Sequence, residues 1–123
     1  MRTAISTTDA PQAIGPYSQA VRSGNLIFVS GQGPIDPSTG ALSTADISEQ
    51  TRLVLRNISN ILASAGASMD HVVKTTVYLA DMNDFAAMNL AYAEAFASPA
   101  PARTTIQAAR LPKDMRVEID VIA

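Results

Sequence analysis

The sequence has no cysteine, no tryptophan and a single histidine, His71. Without cysteine there is no disulfide framework, no thiolate nucleophile and no thiolate metal site. One histidine gives no support to an imidazole-based metal centre or a Ser-His-Asp triad, and His71 falls just ahead of a predicted strand, where it is expected on the surface. Charge is scarce too: 16% of residues are Asp, Glu, Lys or Arg, against about 25% in an average globular domain. A chain of 123 residues has much surface to cover with polar groups, so the shortage predicts that part of the surface is buried against other subunits. The net charge of −2 and the absence of any Lys/Arg cluster argue against nucleic acid as a partner, because a phosphate backbone needs a basic face. No apolar run approaches the ~18 residues of a membrane span, and Met1–Gln12 lacks the charged-then-apolar pattern of a secretory signal. The expected location is the cytoplasm, with no membrane partner.

Nucleotide-binding motifs are missing as well. Gly31-Gln32-Gly33 is too short for a dinucleotide fingerprint and no helix follows it directly. Lys74 and Lys113 have no neighbours that suggest the desolvated or cationic pocket of a Schiff-base lysine. Neither a metal nor an organic cofactor is expected.

The remaining pattern fits one domain spanning residues 1–123. Thr3–Ser6 is a short candidate strand, and Asp9–Pro16 reads as loop. Tyr17–Arg22 and Asn25–Ser30 read as strands joined by a hairpin-type turn at Ser23-Gly24. Turns are expected at Ser30–Pro34 and at Asp36–Gly40. A helix begins at Asp46, a plausible N-cap with Glu49 in the capping-box position. Its apolar stripe is Ile47, Val54, Leu55, Ile58, Ile61, Leu62 and Ala65, and Gly66 stops it. Val72–Leu79 is rich in β-branched residues and predicts a strand. A second helix over Asp84–Phe96 carries the stripe Phe85, Met88, Tyr92 and Phe96. Two further strands, Arg103–Ala109 and Met115–Ile122, flank the turn Arg110–Asp114. The order is β-β-β-α-β-α-β-β, an α/β (α+β) arrangement with both helices on the same face of one mixed sheet. Subunit association would cover the other face. Met69, Met82, Met88 and Met115 are read as packing residues.

Polar residues that interrupt these patterns are the site candidates. In the last strand Met115, Val117, Ile119 and Val121 alternate with Arg116, Glu118 and Asp120, so Glu118 reads either as part of a solvated strand face or as a functional carboxylate. Arg103, just after Pro101-Ala102, is either a surface ion-pair partner or a ligand anchor. If Arg110–Asp114 closes a hairpin, Arg103 lies near the register of Val121 and Glu118 near that of Ile106. The two would occupy one region of a sheet without touching, each able to engage a different end of a small ligand. Asn89 borders the second helix's stripe, and a buried amide there must be hydrogen-bonded, to a loop or to a ligand. Ser30 and Gly31 offer a hydroxyl and backbone amides at a strand end, or an ordinary turn. Tyr17 follows Gly15-Pro16 as a half-buried strand residue or a site wall.

Taken together, these segments resemble the Rid (YjgF, reactive intermediate deaminase) family. The resemblance is carried by Ala13–Ala20, Phe28–Gln32, Asp70–Leu79 and Met82–Asn89. It continues in Pro101–Thr105, the most specific stretch, then Ala109–Asp114 and Val117–Ile119, in order along nearly the whole chain. It implies a chorismate-mutase-like fold and a homotrimer with sites in the clefts between subunits. It also implies cofactor-free hydrolysis of 2-imino acids, such as those derived from 2-aminoacrylate, to 2-keto acids and ammonia: a 2-iminobutanoate/2-iminopropanoate deaminase. By the same resemblance Arg103 holds the substrate carboxylate and Glu118 orients or activates water. Tyr17, Ser30, Gly31, Asn89 and Thr105 line or support the pocket. Thr105 stands where many bacterial members have cysteine, and Gly33 where a larger apolar residue is frequent; both departures bear on substrate size. An imine carbon is already electrophilic, so a carboxylate anchor, a placed water and a proton route suffice. The alternative reading is a trimeric keto-acid-binding regulatory module without turnover, because a carboxylate clamp is equally a receptor. A ribonuclease or translation-inhibitor role, attached to some relatives, is disfavoured by the acidic pI of about 5.1.

Overall fold

The computed structural model describes all residues, 1–123. Strands β1 (Thr3–Ile5), β2 (Ala20–Ser23), β3 (Leu26–Gln32), β4 (Lys74–Leu79), β5 (Ala102–Gln107) and β6 (Val117–Ile122) form one sheet, with helices α1 (Ile47–Ser64) and α2 (Phe85–Ala93) inserted in the predicted order. The strand order is β1-β2-β3-β6-β4-β5. All pairings are antiparallel except β4 with β5, which run parallel with α2 in the crossover between them.

Helix α1 forms for the reasons visible in its sequence. The Asp46 carboxylate accepts from the Glu49 N–H at 2.9 Å, satisfying one orphan donor of the first turn. Val54, Leu55, Ile58, Ile61 and Leu62 are buried on one face. Past the C-cap, Gly66 adopts a left-handed φ of 78°, a conformation that costs glycine little, and the Ala67 N–H returns to the Leu62 carbonyl at 2.9 Å. The apolar stripe of α1 packs on Ile27 and Val29 of β3, Val77 and Leu79 of β4 and Val117, Ile119 and Val121 of β6, all buried in one cluster. Burial of each such side chain stabilises the fold by about 1.5–3 kcal/mol. Helix α2 packs beside α1 through Met88, Ala91 and Tyr92.

The other face of the sheet is covered by no element of the chain. It presents Leu26 (44% exposed), Phe28 (39%) and Ile106 (44%), next to half-buried Tyr78, Glu118, Asp120 and Ile122. Single exposed apolar residues are ordinary; here three stand on one sheet face. No helix is long and apolar enough to cross a membrane.

Several sequence expectations change here. The strand predicted from Tyr17 starts at Ala20. The turn predicted over Ser30–Pro34 is in its first half strand: β3 continues to Gln32, with an irregularity in its pairing to β6 between Val29 and Gln32. Helix α2 is apolar around most of its circumference and does not carry a single stripe, so Leu90 is 77% exposed. Of the methionines, Met88 and Met115 are buried, while Met82 is exposed.

Candidate functional site

The candidate residues fall into two groups on opposite sides of the sheet. The first surrounds Arg103. On β5, Arg103 and Thr105 pair with Thr75 and Val77 of β4, both fully buried beneath the helices, so their side chains point to the helical face. The Arg103 guanidinium lies over two rings of α2, 4.7 Å from the Tyr92 centroid and 5.6 Å from that of Phe85. It forms none of the ion pairs of the chain, which join Arg52 to Glu49 and Glu94, Arg110 to Asp114 and Arg116 to Asp84. The surface ion-pair reading of Arg103 therefore fails. A cation held by aromatic faces keeps its planar N–H fork unoccupied.

Asn89 lies on α2 between Phe85 and Tyr92, and with Arg103, Tyr92 and Phe96 it lines a cleft of about 410 Å³. Its Oδ1 is buried without a hydrogen-bond partner, as is the Thr105 Oγ1 two residues along the strand from Arg103. Buried polar atoms without partners are rare in folded proteins, and here two of them lie on the residues that flank the Arg103 guanidinium.

The second group surrounds Glu118. This carboxyl projects from β6 on the open face, in the row of Tyr78. It shares a cleft of about 550 Å³ with Tyr17, Gly31, Gln32, Lys113 and Met115. Burial, aided by the negative charge of Asp120, raises its proton affinity above the ordinary carboxyl range. Gly31 is what admits it: a Cβ at that position would sit 2.5 Å from the Glu118 Oε2. Gly33 is matched by Met115, whose Sδ lies 2.5 Å from where a Cβ would be. The methionine occupies the volume that a larger residue at 33 would take.

Tyr17 hangs over this cleft from a loop. Its Oη accepts from the Ile14 N–H at 3.3 Å. The Ser30 hydroxyl is already engaged, donating to the Ser18 carbonyl at 2.6 Å, so Ser30 fastens the Tyr17 loop to β3. Gln19, buried, does the same from the other side: its amide donates to the carbonyls of Thr7, Ala10 and Pro11 and its oxygen accepts from the Thr7 N–H.

The hairpin expected to link Arg103 and Glu118 does not exist, because β4 lies between β5 and β6. The rows nevertheless fall as counted. Arg103, Thr75 and Val121 form one row, and Ile106, Tyr78 and Glu118 another. The rows are three residues apart, an odd number, so the two side chains leave opposite faces of the sheet. Within one chain they cannot grip one small ligand. Sequence reasoning overlooked Phe85, Tyr92 and Gln19. Phe85, Asn89 and Tyr92 occur at i, i+4 and i+7, one side of a helix, which is the signal that the aromatics and the amide act together.

The chain is a small α+β domain with an unpaired, ring-stacked arginine on an edge strand and a half-buried carboxyl on the opposite face. The comparisons narrow this. The model of the family described as Endoribonuclease L-PSP matches residues 7–123, and the chain belongs to that family, also called Rid, YjgF or RutC. A RutC family protein of Pyrococcus horikoshii is 54% identical over 100% of this chain and 98% of its own length. The 2-iminobutanoate/2-iminopropanoate deaminase of Mus musculus is 50% identical over 100% of this chain and 91% of its own. The crystal structure of E. coli TdcF with bound serine, 45% identical, superimposes with a TM-score of 0.92 over 98% of this chain and 97% of that one.

Proposed function

We propose that the protein hydrolyses 2-imino acids and their enamine tautomers, including those derived from 2-aminoacrylate, to 2-keto acids and ammonia, as a 2-iminobutanoate/2-iminopropanoate deaminase. The observation that carries this reading is the Arg103 guanidinium, stacked on Tyr92 and Phe85 with no carboxylate of its own. Such a fork suits the one feature common to all 2-imino acids, the α-carboxylate, which it can bind through two charge-assisted hydrogen bonds. The unpartnered Asn89 Oδ1 and Thr105 Oγ1 add polar contacts beside it. The deaminase name borne by the mouse relative points the same way.

The reaction adds water to the C=N carbon and expels ammonia from the tetrahedral adduct, so a proton must leave the water and reach the nitrogen. Glu118 fits that role. Its raised proton affinity brings it closer to neutrality, where an acid–base group works best, and Gly31 leaves its carboxyl open to the cleft. Tyr17 walls the same cleft.

We infer further that the working site is assembled between subunits of a homotrimer. Arg103, Asn89 and Thr105 from one subunit would meet Tyr17, Ser30, Gly31 and Glu118 from its neighbour. The opposite-face placement of the two groups and the apolar residues of the open sheet face support this. The cytoplasm is the location we propose. Serine bound in the E. coli relative supports a second reading, a module that binds amino or keto acids without turnover. A coupled assay separates the two: a serine dehydratase generates 2-aminoacrylate, and this protein should accelerate release of pyruvate and ammonia. Keto-acid binding with no acceleration would establish the receptor instead.

A further inference from the structure

The proposed function requires Arg103 to stay in one place while its N–H fork remains free. A long side chain on an edge strand has many rotamers, and ordering it costs free energy on every binding event unless it is already ordered. A carboxylate partner would order it but would occupy the fork. The structure provides something else. The Tyr92 ring lies face-on beneath the guanidinium at 4.7 Å. The ring is itself fixed, packed against Phe96 at a centroid distance of 4.7 Å. Its Oη shares a 2.7 Å hydrogen bond with the Thr75 Oγ1 in the interior. Thr75 is fully buried and is the residue directly beside Arg103 in the β4–β5 ladder.

We propose that Thr75 and Tyr92 are a positioning pair for Arg103, in which a threonine hydroxyl locks a tyrosine ring so that its face, in place of an anion, holds the substrate-binding guanidinium. This rests on reading Arg103 as the carboxylate anchor. Thr75 and Arg103 are fixed relative to each other by adjacent strands, and the hydrogen bond ties the α2 ring to that same row. Strand, ring and guanidinium therefore form one closed unit. Burial raises the proton affinity of the Tyr92 phenol, so it remains a neutral hydroxyl that can share the bond. Merely satisfying two buried hydroxyls would explain the bond but not its position in the row of Arg103.

The test uses Tyr92→Phe, Thr75→Val and the double variant, all of which keep the ring and the packing volume. Each single change should raise KM in the imine assay, and the calorimetric Kd for pyruvate, about tenfold, equivalent to ~1.4 kcal/mol, with kcat little changed. The double variant should be no worse than either single one, because both remove the same bond. In the ligand-free protein, ¹⁵N NMR should show the Arg103 guanidinium rotating faster in the variants than in wild type. Wild-type KM, Kd and guanidinium dynamics in both single variants, with only the melting temperature lowered, would reduce the pair to a structural role. The anchor reading fails in a different way: Arg103→Ala would then leave the Kd for pyruvate unchanged.

Discussion

Replacing Arg103 by alanine removes a cation that the fold hardly uses. The guanidinium takes part in no ion pair and is held by contact with two rings, an interaction worth about 0.5–2 kcal/mol. The stability loss should be near 1 kcal/mol, a fall in Tm of roughly 4 °C for a domain of this size. The functional loss should be far larger. A bidentate carboxylate clamp comprises two charge-assisted hydrogen bonds of about 1.5–3 kcal/mol each, so their removal predicts a fall in kcat/KM on the order of 10²–10⁴. Pyruvate binding should weaken to a similar degree. Arg103→Lys keeps the charge but presents a point donor where the site needs a fork, and should recover only part of the loss. Calorimetry with pyruvate or 2-oxobutanoate, the coupled imine assay and thermal melts measure all three quantities on the same samples. Keto-acid affinity within about threefold of wild type in Arg103→Ala would refute the clamp outright, since not even one charged hydrogen bond could then have been lost.

Glu118→Gln should leave keto-acid binding largely intact while turnover drops by about 10²–10⁴, the usual contribution of a positioned acid or base. The same variant carries a stability signature. Because burial raises the folded-state proton affinity of Glu118 above the ordinary carboxyl range, folding takes up a proton in the window above that range. Its contribution to stability is complete below the unfolded value and is lost as pH rises through the folded one. The Tm of Glu118→Gln relative to wild type should therefore increase between pH 4 and pH 8, and a constant difference across that range would mean that the carboxyl is not desolvated. Light scattering after size exclusion should give about three times 12.9 kDa; a monomer at every concentration would remove the proposed inter-subunit site. Gly31→Ala should impair turnover with the fold retained, because its Cβ would approach the Glu118 Oε2 to 2.5 Å and only the flexible carboxyl can give way; wild-type kcat in that variant would mean Glu118 need not occupy its observed position.

Much of this arrangement was legible in the sequence because it is written in local periodicity. The alternation Val117, Ile119, Val121 against Arg116, Glu118, Asp120 gives the buried and open faces of β6 directly, and the cap, stripe and stop of α1 appear where the side chains require them. Strand order is not local. Sequential strands are usually neighbours, which made β5 and β6 look like a hairpin, yet β4 inserts between them with α2 as its crossover to β5. The Tyr17 segment looked like strand because its residues favour one. What keeps it out is Gln19, whose buried amide binds loop carbonyls, a tertiary effect that no window of sequence displays. The role of Tyr92 was hidden for the opposite reason: an aromatic in an apolar helical stripe reads as core, and it is core, but one face of it is given to a cation from another element.

The parity of the sheet explains why so small a domain would use more than one copy to build a site. Side chains alternate between faces with period two, and three residues separate the rows of Arg103 and Glu118. Shifting either by one position would bring both to one face. Moving the carboxyl would also push a charge beneath α1 in place of a residue of the Val117–Ile119–Val121 core, at a cost of several kcal/mol for an unpaired buried charge, and moving the guanidinium would take it from the rings of α2. Keeping the guanidinium on the helical side lets α2 supply the rings that order it, and keeping the carboxyl on the open side leaves it next to the Gly31 gap and the Tyr17 loop. Each group is thus prepared by its own surroundings within one chain. On the proposed inter-subunit reading, bringing Arg103 of one subunit to Glu118 of the next would require an edge strand to dock against a neighbour's open face, where Phe28 and Leu26 expose apolar surface.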